Sequence, residues 1–154
     1  MTDRTTWVSA LNMLPTDELL SLTAQLSCNW TVRPMSVPQA GLGMLKMNDS
    51  AFDEPFYLGE FPIASAWIEV QTNNGMTAEG AAQVMDDRVE IAEALALCDA
   101  VLANQLPGWE RVTQLLEKGL SMREDVRLER KQMLAATHVD FSLLDDVGDE
   151  HAES

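Results

Sequence analysis

The sequence predicts an α+β domain in which an antiparallel sheet of about four strands packs with N-terminal and C-terminal helices. Apolar residues alternate from Pro62 to Val70 and, with the same parity, from Met76 to Val84, as in strands that bury one face. Helical patterns follow this stretch directly and recur near both chain ends. The 154 residues fit a single domain, expected at 1–144, followed by an acidic, disordered tail at 145–154.

Two helices are expected at the start of the chain. Apolar residues at helical spacing predict the first over residues 5–14, which Pro15 ends. Thr16 can cap a second helix that runs to about Leu26. Trp7 is either a core residue, which its spacing favours, or an exposed aromatic that anchors a partner.

The first two strands are expected at residues 30–35 and 42–47, where apolar residues are bounded by Pro and Gly. Gly41 and Gly43 do not form a phosphate loop, because no Lys or Ser/Thr follows at the required spacing and no helix opens there.

The alternation of apolar residues in the two strands indicates the length of the turn between them. A two-residue loop at Asn74-Gly75 would set Val70 opposite Glu79, whereas a three-residue loop with a left-handed Gly75 sets Val70 opposite Ala78. The second arrangement keeps both apolar sets on one face, and we therefore predict the three-residue loop.

A long helix should follow the hairpin. Asp87 is the expected N-cap with Glu90 three residues later, and both carboxylates suit the positive end of the helix dipole. Asp99 falls off the apolar stripe, so we expect it to be exposed or to bond across a subunit contact. The stripe that should pack on the hairpin consists of Ile91, Ala94, Leu95, Cys98, Val101 and Leu102.

A second long amphipathic helix is expected from Trp109 to about Ala136, after Pro107-Gly108, and Gly119 could kink or divide it. Cations late in this segment alternate with acids. They form either a solvated, ion-paired face or a surface that docks on an acidic partner or on the chain's own tail. These cations are Arg123, Arg127, Arg130 and Lys131.

Charge and composition restrict the function. The formal net charge of −15 opposes unaided binding of nucleic acid, nucleotides or phosphonates. No apolar run is long enough for a membrane span, and the first residues lack the apolar segment of a signal peptide, so we expect a cytoplasmic protein. Cys28 and Cys98 are expected to be buried free thiols rather than a disulfide or reactive groups.

No catalytic constellation is recognisable. His138 and His151 have no Cys or second His at ligand spacing, and the adjacent carboxylates of Asp86-Asp87 splay apart. We therefore predict no catalytic residue, no metal site and no cofactor in this chain.

Four runs of residues lie in the order and spacing of a known family: RTTWVSAL at 4–11, PFYLGE at 55–60, ALCDAVL at 96–102 and HVDF at 138–141. The chain thereby resembles the PhnG subunit of the bacterial carbon-phosphorus lyase core complex. It departs from that family at Ala64-Ser65, where the family carries Thr-Arg, and at 86–88, where Asp-Asp-Arg replaces Gly-Arg-Asp.

The resemblance implies an accessory or scaffolding subunit with PhnI, PhnH and PhnJ as partners. With PhnI, PhnH and the ATPase-like PhnL, that subunit is needed to convert ATP and an alkylphosphonate into ribose 1-alkylphosphonate 5-triphosphate. The family's nucleosidase activity is attributed to PhnI and its iron-sulfur radical cleavage to PhnJ, so PhnG itself is expected to be non-catalytic.

Partner contacts are expected in the shared runs and near the chain end, and the isolated chain could form a homodimer. One alternative function is an acidic interaction module or inhibitor on the same scaffold, and another is an enzyme for a cationic substrate. The expected partner-binding residues are Trp7, Phe56, Gly59, Glu60, Asp99, Val139, Asp140 and Phe141.

Overall fold

A computed structural model describes residues 3–136. It contains helices and an antiparallel four-stranded sheet, and the predicted α+β class is confirmed. A 3-10 turn at Arg4–Thr6 is followed by α1 (Trp7–Leu11), α2 (Thr16–Ser27), β1 (Thr31–Pro34), β2 (Gln39–Asn48), β3 (Pro55–Gln71), β4 (Thr77–Val84), α3 (Val89–Asn104) and α4 (Trp109–Ala136).

Strand β3 organises the sheet, because the three other strands all pair with it in antiparallel fashion. β4 pairs with residues 64–71, β1 with 68–71 and β2 with 55–65. Since β4 shares partner residues with both β1 and β2, it lies on the opposite edge of β3. The first half of β3 therefore extends beyond β4 and pairs with β2 alone.

The hairpin between β3 and β4 has the predicted register. Val70 lies opposite Ala78, and Gly75 is left-handed with a φ of 86°. The N–H of Thr72 donates to the carbonyl of Met76 at 2.9 Å, which leaves residues 73–75 as the loop. The three-residue turn is thus confirmed.

Helix α3 forms the centre of the core. Eleven of its residues are buried, because α1 and α2 pack on it in addition to β3 and β4. Strand β4 approaches very closely at Gly80, where an added Cβ would overlap the carbonyl oxygen of Ala96 and the amide nitrogen of Ala100. Only glycine permits this spacing between strand and helix.

Two helix starts differ from the prediction by one residue. The N-cap of α3 is Arg88, not Asp87, because the carboxylate of Asp86 accepts the Arg88 N–H at 2.8 Å and closes the preceding turn. Asp86 also accepts from the Arg88 guanidinium at 2.9 Å, and these bonds lower its pKa from 3.8 to about 2. Pro15, which has no side-chain acceptor, precedes α2, and Thr16 is already helical.

Helix α4 is continuous across Gly119, so the expected division does not occur. An added Cβ at Gly119 would overlap the carbonyl oxygen of Ala10 in α1. The glycine therefore allows the two helices to pack closely.

The chain forms two compact units, with the boundary after Met122. The first unit contains the sheet, α1 to α3 and the start of α4. In the second, residues 123–135 are exposed except for Val126, and Arg127 pairs with Glu124 at 2.8 Å. The predicted domain at 1–144 stays a prediction, because its end and the tail lie outside the described residues. Within residues 3–136, no helix has the length and apolarity needed to cross a membrane.

Candidate functional site

The sheet continues beyond β4 as a two-stranded arm, which we define as residues 39–63. It comprises β2, the connection at 49–54 and the first half of β3. At its tip, the carboxylate of Asp49 accepts the N–H groups of Ala51 at 2.6 Å and Phe52 at 3.0 Å. At the usual rise per strand residue, the β3 part of the arm spans roughly 30 Å.

The arm has no core of its own. From residue 39 to residue 60 every position is exposed except Gly43, which is half-buried. The same strand then buries alternate residues from Ala64 to Val70. The change occurs at Ala64, where the pairing with β4 begins, so β3 passes from solvent into the core within a few residues.

Much of the exposed surface of the arm is apolar. A soluble monomer rarely exposes a continuous patch of large apolar side chains, and a two-stranded hairpin is at best marginally stable in water. The arm is therefore the part of the first unit best suited to contact another protein. Its exposed large apolar residues are Leu42, Met44, Leu45, Met47, Phe52, Phe56, Tyr57 and Leu58.

A bulge shapes the arm near its middle. Leu45 pairs with Gly59 but Lys46 pairs with Tyr57, which leaves Leu58 as an extra residue in β3. Such a bulge bends the strand and increases its twist. On the core side of the bulge, Gly43 lies opposite Phe61, and the Phe61 ring occupies the space that a Cβ at Gly43 would need. The arm is therefore thin at this point.

The expected partner-binding residues divide into three groups. Phe56, Gly59 and Glu60 lie together on the arm and are exposed. Trp7 is 4% exposed and packs in the core, as its spacing predicted. Asp99 is 5% exposed. The remaining three, Val139, Asp140 and Phe141, lie outside the described residues.

Asp99 forms an internal link rather than an exposed group, so that expectation was wrong. Its two oxygens accept from Nε and an Nη atom of Arg4 at 2.8 and 2.7 Å, and Oδ2 also accepts from the N–H of Ala81 at 3.0 Å. The carboxylate raises the pKa of Arg4 through these hydrogen bonds and its charge. The face of α3 that carries Asp99 meets the edge of β4. The spacing of apolar residues along the helix gives no information about this contact.

An open recess of about 600 Å³ lies beside β4, lined by residues that include Trp67, Glu69 and Glu79. The two glutamates are directly opposite each other, and Glu79 accepts from the Trp67 indole at 3.1 Å. Neither His nor Cys is among its lining residues. In the described part of the chain, no three His, Cys, Asp or Glu side chains are grouped to hold a metal ion.

The two cysteines differ in environment. Cys98 is buried, and burial followed by the nearby Asp99 charge raises its pKa to about 12. It is therefore an unreactive thiol at neutral pH. Cys28 is exposed, so the expectation that both thiols are buried is wrong for this residue, which follows the C-terminal end of α2.

The β2 half of the arm was not predicted to bind a partner, although it holds four of the exposed apolar residues. A signal was present in the sequence. Apolar residues between 42 and 47 occur at 42, 44, 45 and 47, which breaks the alternation expected of a strand with one buried face.

Comparison with protein families finds a match to the model described as phosphonate metabolism protein PhnG, over residues 2–145. Comparison with curated proteins finds no match for this chain.

Proposed function

Since the chain belongs to the PhnG family of phosphonate metabolism proteins, we propose that it is a non-catalytic scaffolding subunit that binds its partners through the arm. The observation that carries this proposal is the exposure of large apolar side chains along residues 39–60 of the arm.

The arm has enough apolar surface for a stable contact. Full burial of a large apolar side chain contributes about 1.5–3 kcal/mol. Eight such side chains at roughly half exposure would together contribute on the order of 6–12 kcal/mol. Association costs about 4–15 kcal/mol in lost rigid-body freedom, so the arm offsets a large share of that cost and partner-specific polar contacts supply the remainder.

The proposed partners are PhnI, PhnH and PhnJ-like subunits, and the reaction converts ATP and an alkylphosphonate into ribose 1-alkylphosphonate 5-triphosphate. We place the complex in the cytoplasm because its reaction consumes ATP. The net charge of −15 supports a division of labour in which other subunits bind the phosphate-bearing substrates.

A matched pair of variants tests the contact. Met47 lies in the arm and Met76 follows the hairpin turn at the other end of β3, with exposed fractions of 44% and 39%. Each would be replaced by Asp, and the chain co-expressed with PhnI-, PhnH- and PhnJ-like proteins. We expect Met47→Asp to lose co-purification and Met76→Asp to retain it, with unchanged circular dichroism in both.

Equal retention of both variants would refute the role of the arm. Turnover of ATP and methylphosphonate by the purified chain would refute the non-catalytic assignment. Salt-sensitive binding to a basic protein, without recovery of any lyase-type subunit, would instead support the acidic inhibitor.

A further inference from the structure

The outer edge of β2 is an open strand edge, and we propose that a partner protein adds an extended segment to it. This inference rests on the proposed function and specifies how the arm is bound. Main-chain hydrogen bonds would supply much of the affinity, as in other cases where a peptide completes a sheet.

Two hydrogen bonds indicate which backbone N–H and C=O groups of β2 point toward β3. The N–H of Met35 donates to the carbonyl of Trp67 at 2.8 Å, so the odd residues of this part of β3 are directed toward β1 and β2. At the tip, the N–H of Asp49 donates to the carbonyl of Glu54 at 2.9 Å. Through the pairing register of β2 and β3, each bond leads to the same result: the N–H and C=O groups of the odd-numbered residues of β2 bond to β3.

The even residues of β2 therefore direct their N–H and C=O groups away from β3. Among residues 3–136, no other strand pairs with this side of β2. Side chains alternate with the same period as the backbone groups, so these residues also share one face of the ribbon. They are Ala40, Leu42, Met44, Lys46 and Asn48.

β1 has only four residues and ends in Pro34, and the edges on β3 and β4 carry obstacles to strand addition, so β2 is the edge best suited to it. The opposite edge of the arm, on β3, carries Pro55, Glu60 and Pro62. Proline and charged residues are the usual devices that prevent strand addition. At the β4 edge, the N–H of Ala81 is already bonded to Asp99. β2 has ten residues, no proline and a single charge, at Lys46.

Charge argues for a different protein rather than a second copy of this chain. Two copies would each carry a net charge of −15. The exposed ribbon is itself acidic, with four carboxylates and one Lys between residues 39 and 60. Like charges of this size oppose self-association. The partner segment should therefore carry basic residues, with apolar residues at alternate positions to cover Leu42 and Met44.

Residue-resolved amide hydrogen exchange tests the proposal on the wild-type protein. In the isolated chain, the amides of Leu42 and Met44 should exchange rapidly, whereas those of Gly43 and Leu45 should be protected by the ladder to β3. In the complex with the lyase-type subunits, the amides of Leu42 and Met44 should become protected as well. Amides that stay fast in a complex that does form would overturn strand addition and leave the proposed function intact.

Variants of one residue separate backbone from side-chain contacts. Met44→Ala removes the side chain and keeps the outward N–H, whereas Met44→Pro also removes the N–H without breaking a bond to β3. We expect Met44→Pro to weaken binding about tenfold more than Met44→Ala, because it leaves a partner carbonyl without its donor.

Three results would count against the inference. Equal binding by the two variants would show that only side chains are contacted. Protection of the outward amides in the isolated chain, with a concentration-dependent dimer by sedimentation, would identify the occupant as a second copy. Failure of the wild-type chain to bind the lyase-type subunits at all would refute the proposed function itself.

Discussion

Replacement of Asp99 by alanine should lower the free energy of unfolding by about 2–3 kcal/mol. The carboxylate is nearly buried and accepts three hydrogen bonds, from Nε and Nη of Arg4 and from the N–H of Ala81. The bond to the backbone amide contributes about 1 kcal/mol. The bidentate ion pair adds about 1–2 kcal/mol, because the Arg4 side chain is 57% exposed and solvent screens part of the attraction.

Arg4→Ala should cost about 1–2 kcal/mol, since it leaves the charge of Asp99 with a single donor. In the Asp99→Ala background the same change should cost almost nothing. Urea unfolding, followed by circular dichroism, is measured for the wild type, the two single variants and the double variant. The slope of the free energy of unfolding against urea concentration should be the same in all four. Glu93→Ala, at an exposed carboxylate on the same helix, is the control and should stay within about 0.5 kcal/mol of wild type. Additive effects of the Arg4 and Asp99 changes would refute the coupling.

Two further predictions concern packing and thiol chemistry. Gly80→Ala should destabilise the first unit by about 1–3 kcal/mol, because its Cβ would overlap the backbone of α3. Gly41→Ala, where nothing lies within 4 Å, should change the urea midpoint little, and similar losses in both variants would contradict this account. A thiol reagent at neutral pH should label Cys28 alone in the folded protein and Cys98 only after unfolding. Cys28→Ser should then show no rapid labelling, and rapid labelling of that variant would show that Cys98 is accessible.

Local patterns account for the elements that were predicted correctly. The parity of apolar residues on either side of Gly75 allowed only one register that keeps both strands on the core, and β3 and β4 adopt it. The apolar stripe of α3 is buried for the same reason. The start of α3 was displaced by one residue because a neighbouring side chain, Asp86, bonded to the backbone N–H of Arg88 and took the place of the expected cap.

Long-range placement accounts for two of the errors, at Asp99 and Gly119. Asp99 lies off the apolar stripe, yet the edge of β4 and Arg4, 95 residues away in the chain, meet it there. Gly119 was considered a point where α4 could kink or divide, whereas it makes room for the backbone of α1. In each case the deciding partner is distant in sequence, and no local pattern identifies it.

By itself the sequence determined the class of fold, the hairpin register and the resemblance to PhnG, because side-chain periodicity and short shared runs are properties of neighbouring residues. Only the tertiary structure decided which part of β3 is covered. The pairing with β4 ends at Ala64, and the arm beyond that point retains exposed apolar side chains and one open backbone edge. Burial depends on what lies opposite a strand in space, and that is set by the packing of the whole domain.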